Sequence, residues 1–94
     1  MSQGNEGDTL PQIDFATFVM SLSHSALVHL GDEPHPDTNA VEANLALAKQ
    51  NIDILGLLEE KTKGNLTGAE ERLLAQVLFD LRMRFVERSK AASK

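Results

Sequence analysis

From Asn44 to Val86 the chain carries apolar residues at helical spacing on both sides of one short turn, Lys63-Gly64-Asn65-Leu66-Thr67. That pattern dictates two long amphipathic helices folded back on each other. Gly64 supplies a residue that tolerates the left-handed conformation at a helix end. Thr67 followed by Glu70 forms a capping box, in which each residue satisfies a backbone N–H of the other, and starts the next helix. With about three residues between them, the two helices must lie antiparallel and adjacent. Each arm is near twenty residues, hence about 30 Å long, a long rod for a chain of 94 residues.

The second helix, predicted over residues 44–63 with Asn44 as its cap, builds its apolar face from Leu45, Leu47, Ala48, Ile52, Ile54, Leu55 and Leu58. Lys49, Asp53, Glu60 and Lys61 stand opposite. Gly56 interrupts this helix at a cost of roughly 1 kcal/mol relative to alanine, which suggests close approach of a neighbour. Glu59 and Lys63 are spaced for an i,i+4 ion pair. The third helix, predicted over 67–88, carries two apolar stripes rather than one: Leu73, Leu74, Val77, Leu78, Leu81 and Phe85 on one side, and Ala75, Phe79, Met83 and Val86 on another. One stripe can meet the second helix; the other must meet the first helix, a second chain, or water.

A first helix is predicted over 14–30, capped by Asp14 and stopped by Gly31, with Phe15, Phe18, Val19, Leu22, Ala26 and Leu30 on one face. Residues 31–43, holding Pro34, Pro36 and several acids without any period, read as a connecting loop and an exposed candidate contact. Residues 1–12 read as a disordered tail and 89–94 as a basic tail, leaving one helical domain over 13–88. The fold class is therefore all-α: three helices with a long hairpin. The first helix is too short to cover both 30 Å arms, so the hairpins are expected to pair into a dimeric helical bundle with the first helix alongside. The residues assigned to the core and dimer interface are Asn51, Leu55, Leu58, Leu74, Leu78, Phe79, Leu81, Met83 and Phe85. Asn51 is the polar member, either fixing the register of a helical interface or edging into solvent.

Composition narrows the function classes. The chain has no cysteine, so neither a disulfide nor a thiolate-ligated metal can staple it. Residues 1–60 carry ten acids against Lys49 alone, whereas 61–94 carry eight bases against four acids, for a net charge of −5. An acidic body repels nucleic acid and anionic membrane at long range, though Arg82, Arg84, Arg88, Lys90 and Lys94 make a local basic end. Cations there also suit the C-terminal end of a helix dipole. The longest uncharged apolar-leaning run, Phe15 to Leu30, has sixteen residues including three serines and two histidines, too short and polar to span a bilayer. The polar, acidic N-terminus is neither a secretory nor a transit signal, which points to the cytoplasm.

Reactive constellations are sparse. His24 and His29 lie five apart, about 140° around a helix, so they do not share a ligand face. His29, Asp32, Glu33, His35 and Asp37 could gather round a metal only if the loop folded back on the helix end. Glu59/Glu60 and Glu70/Glu71 are adjacent in sequence and diverge on a helix, and Ser21, Ser23 and Ser25 beside His24 do not make a nucleophile–base geometry. No catalytic residue, cofactor or metal is expected.

Several blocks in order, Phe15-x-x-Phe18-Val19, Ser25-Ala26-Leu27-Val28-His29-Leu30-Gly31, Asn44-Leu45-x-Leu47-Ala48-Lys49-Gln50, Ile52-Asp53-Ile54-Leu55, Glu59 through Thr67 and Leu81-Arg82-Met83-Arg84-Phe85, resemble a small bacterial family of unknown function, number 1844, over about Ile13 to Glu87. The resemblance implies an all-helical cytoplasmic protein and brings no activity with it. Relatives encoded near genes for translation initiation and ribosomal proteins imply a link to the ribosome without a mechanism. The resulting expectation is a non-enzymatic helical module that forms a homodimer and binds a protein partner. Its candidate contacts are Lys61, Lys63, Asn65, Arg82, Arg84 and Arg88. The alternative is an accessory factor that touches ribosome proteins or RNA through the basic end of the third helix.

Overall fold

The computed structural model describes residues 12–92, and over that range the chain forms three helices: α1 (Phe15–Leu30), α2 (Leu45–Lys61) and α3 (Gly68–Ala92). The tail expected over residues 1–12 lies, apart from Gln12, outside the described residues. Each helix begins where a short polar side chain can accept an otherwise orphaned backbone N–H. Asp14 Oδ1 accepts from Thr17 N at 2.8 Å, and Asn44 Oδ1 accepts from Leu47 N at 3.1 Å. At α3 the reciprocal capping box forms: Thr67 N donates to Glu70 Oε1 at 2.9 Å, and Glu70 N donates to Thr67 Oγ1 at 3.1 Å. Removing that hydroxyl in Thr67→Ala is expected to cost about 1 kcal/mol, read as a fall of roughly 5 °C in Tm.

Helix α1 ends at Gly31 with φ +86°, where Gly31 N donates to Val28 O and Asp32 N to Leu27 O. A Cβ at Gly31 would come within 3.2 Å of the Ala43 side chain, so the two ends of the connecting segment press together there. That segment folds tightly: Asn39 N donates to His35 O at 2.7 Å, His35 N to Ala40 O at 2.8 Å, and Asn44 N returns to His29 O at 2.7 Å. Asn39, with φ +59°, supplies the left-handed residue that the reversal needs.

Helix α2 stops at Lys61, two residues short of the predicted end. Thr62 is its C-cap: the Thr62 N–H makes the last i→i−4 bond, to Leu58 O at 3.0 Å, the Thr62 hydroxyl joins it at 2.7 Å, and Gly64 with φ +87° then turns the chain. Lys63 is thereby off the helix, and no Glu59–Lys63 pair forms; the i,i+4 pair on α2 is Lys49–Asp53 at 2.8 Å. At the other end, α3 runs on to Ala92, past the predicted stop at residue 88, and takes most of the supposed basic tail into the helix.

The core draws equally on the three helices: Val19, Ala26 and Leu30 from α1, Ala48, Ile52 and Leu55 from α2, and Leu74, Leu78 and Leu81 from α3. On α2 and α3 those residues follow a 4–3 spacing, which keeps one seam of each helix turned inward. Every pair of helices is in contact. Helix α1 is thus a full third of the bundle rather than an element packed alongside a finished hairpin. The leucines assigned to the core and dimer interface, Leu55, Leu74, Leu78 and Leu81, are buried within the single chain, with Leu58 and Phe85 half-buried against them. None of the helices among the described residues is long and apolar enough to cross a membrane.

Candidate functional site

With the inner stripe of α3 used by the core, its outer stripe faces away from both other helices. Phe79 is 68% exposed, Val86 50% and Met83 49%. Together with Ala75 and Arg82 these residues line an open groove of about 640 Å³, bordered by Glu59 of α2 and by Glu87 and Lys90 of α3. These exposed apolar side chains lie together on one helix face, the kind of surface on which a second one can pack. Phe79 and Met83, both assigned from sequence to the core and dimer interface, are the members of that set left most exposed among the described residues.

Arg82 sits where two shallow grooves meet, the apolar one on α3 and a polar one bounded by Gly56, Leu57, Glu59, Glu60 and Lys63. A Cβ placed on Gly56 would lie 3.3 Å from Arg82 Nη2, so the glycine makes room for a guanidinium rather than for a helix backbone. Among the described residues Arg82 takes part in no hydrogen bond or ion pair. Gly56→Ala is expected to raise stability by up to about 1 kcal/mol through helix propensity, because the flexible tip of Arg82 can swing aside. Chemical denaturation of the single chain measures it.

Arg84 and Arg88 behave differently. One turn apart on α3, both reach Asp32, the residue after the α1 stop: Arg84 Nη1 lies 3.1 Å from Asp32 Oδ2, and Arg88 Nη2 pairs with Asp32 Oδ1. Arg84 Nε also holds Asp80 at 2.8 Å. The Asp32 side chain is 13% exposed, and its cover includes the two arginines, themselves 44% and 48% exposed. Burial pushes the Asp32 carboxyl up, but the hydrogen bonds and charges of Arg88 and Arg84 outweigh it and hold the group below its ordinary value. Arg84 is held above its ordinary value, first by Asp80 and then by Asp32.

Among the described residues no set of three or more histidine, aspartate or glutamate side chains gathers as a metal would need. His35 instead accepts the Asp37 N–H at Nδ1, 3.3 Å away, and Asp32 belongs to the arginines. Lys61, Lys63 and Asn65 are exposed at the α2–α3 turn, about 25 Å along α3 from Arg84 at a rise of about 1.5 Å per residue. The structure therefore does not bring these candidate contacts into one patch. Asn51 is half-buried and lies toward α1, where the Ser25 hydroxyl is 3.5 Å from its Oδ1, so its partner is within the chain and not in the outer groove.

A family model of a domain of unknown function, DUF1844, matches residues 12–87, which takes in all three helices, Asp32 and the outer stripe of α3. The chain belongs to this family. No curated protein and no solved structure matches it. Within the DUF1844 match lie Phe79, Arg82, Met83, Arg84 and Val86, whereas Arg88 and Lys90 fall just beyond it. All of the groove's lining except Lys90 thus lies within the matched segment. Sequence reasoning found its apolar members, as the second stripe of α3, and missed the Asp32 clamp. The two arginines stand at visible i,i+4 spacing, but their partner lies 52 and 56 residues away, where no local pattern reaches.

Proposed function

We propose that this DUF1844 protein is a non-enzymatic helical module of the bacterial cytoplasm that pairs with a second copy through the outer face of α3. The paired form would then offer the 31–43 segment and the α2–α3 turn to a protein partner. The observation that carries this reading is a three-helix fold of the described residues with Phe79, Met83 and Val86 still about half exposed or more along one helix. A three-helix core is already complete, so the outer stripe contributes nothing to the fold of the single chain and costs solubility unless something covers it. A second copy of the same stripe is available at the protein's own concentration and requires no other component.

The RNA-contacting alternative draws less support from the geometry. Two of its three arginines, Arg84 and Arg88, are engaged by Asp32, and Asp80 adds a further acid beside them. What remains at that end among the described residues is Arg82 and Lys90 beside Glu59 and Glu87, a nearly balanced set rather than a basic patch. Catalysis draws still less: His24 is exposed on α1, and His29 and His35 are half-buried on separate turns of chain. Sedimentation equilibrium at tens of micromolar tests the leading reading. A particle of twice 10.3 kDa is expected, and a 10.3 kDa particle at every concentration overturns it.

A further inference from the structure

Four groups follow one another along the outer face of α3 at a 4–3–4 spacing: Ala75, Phe79, Arg82 and Val86. This is the spacing with which two helices pack side by side along a shared seam. Three of the four are apolar. The fourth is an arginine without a partner among the described residues, seated beside the notch left by Gly56. This arginine is exposed and makes no ion pair among the described residues, although Glu59 and Glu87 border the same groove, and the symmetry of a dimer offers it a partner.

If two copies of α3 ran parallel, each position would face itself. Arg82 would meet Arg82 in a water-poor seam, a like-charge contact that destabilises association, and Ala75 would meet Ala75 and leave a gap. If they run antiparallel about a two-fold axis midway between Asp80 and Leu81, Ala75 faces Val86 and Phe79 faces Arg82. Small then packs against branched, and the flat guanidinium lies on the aromatic ring, an attraction that grows as water is excluded. Resting on the pairing proposed above, we infer that the dimer is antiparallel along α3, with Arg82 of each copy stacked on Phe79 of the other. Arg82 thus sets the orientation of the partner, and the partner is a second copy of this chain.

The absence of native cysteine allows single spin labels to be placed without background. Labels on Arg72→Cys and, separately, Lys90→Cys report the label-to-label distance across the dimer by pulsed electron resonance. The antiparallel arrangement predicts two similar axial separations, about 25 Å for position 72 and about 28 Å for position 90, from a rise of about 1.5 Å per residue. A parallel pair would bring both labels side by side, and an axis centred elsewhere on α3 would make one distance short and the other long. Either result overturns the inference while leaving the dimer intact. A monomer at all concentrations overturns the pairing itself. Arg82→Leu supplies the second arm: it removes the like-charge penalty on the parallel form, so short distances should appear beside the long ones. Unchanged distances in Arg82→Leu, with unchanged dimer affinity, would show that Arg82 does not set orientation.

Discussion

Phe79→Lys is expected to convert the protein into a stable monomer with little change in the fold of the single chain. The ring is 68% exposed within one chain and belongs to no part of the nine-residue core, so its replacement stays within the small range of surface substitutions. At the proposed interface the same change is severe. It removes an aromatic group from the centre of the seam and places an ammonium against Arg82 of the second copy, twice per dimer. Like-charge juxtaposition of this kind costs about 3 kcal/mol or more, a weakening of association of at least roughly a hundredfold. Sedimentation equilibrium should show the mass fall to 10.3 kDa while helical circular dichroism is retained. Phe79→Glu makes the informative contrast, because a carboxylate facing Arg82 recovers part of what the lysine loses. Equal loss in both variants would mean that Arg82 does not lie opposite Phe79, and no loss in either would remove the outer stripe of α3 from the interface.

The separation of α3 into two stripes was open to reading because both obey the same local period, and local period is what a sequence displays. The caps at Asp14, Asn44 and Thr67 were legible for the same reason: each involves residues no more than three apart. The boundaries are less legible: α2 ends at Lys61 with Thr62 as its C-cap, so Lys63 leaves the helix and the Glu59–Lys63 pair is lost with the last two predicted residues. The short length of α1, sixteen residues beside two arms of about 30 Å, suggests a peripheral helix, although its inward face includes the small Ala26 and Ser23. Packing shows the reverse: small residues let α1 approach α2 and α3 closely enough to share a single core. Asn51 illustrates a subtler limit. Its position on the apolar arc of α2 was correctly placed, but a helical wheel gives a direction and not a neighbour, and the neighbour is Ser25 of α1.

Asp32→Ala is expected to destabilise the fold by about 2 kcal/mol, the scale of hydrogen bonds to a charged group, or roughly 10 °C in Tm for a domain of this size. The value is set at that scale rather than at that of a deeply buried pair, because Arg84 and Arg88 are nearly half exposed and can return to water when the carboxylate is lost. The backbone stop of α1 is untouched, since Asp32 contributes to it only through its N–H to Leu27 O. What is lost is the tie between the α1–α2 segment and the C-terminal half of α3, so hydrogen exchange should accelerate over residues 31–43 and around Phe85 before it does so at Leu74. The pH dependence separates charge from packing. Folding holds the Asp32 carboxyl below its ordinary 3.8, so the folded state binds the proton less readily than the unfolded chain. The stabilisation is therefore fully present above about pH 4 and fades as pH falls through the lowered folded value. Asp32→Asn keeps the shape but has nothing to titrate, so the stability gap between it and the natural sequence should be constant near neutrality and close progressively below pH 4. Asp14, also held low by the Thr17 N–H, loses stability in the same direction but does so in both proteins and cancels in the comparison. A gap that stayed constant into acid would mean that Asp32 acts through shape alone, and that Arg84 and Arg88 do not hold it as a charge.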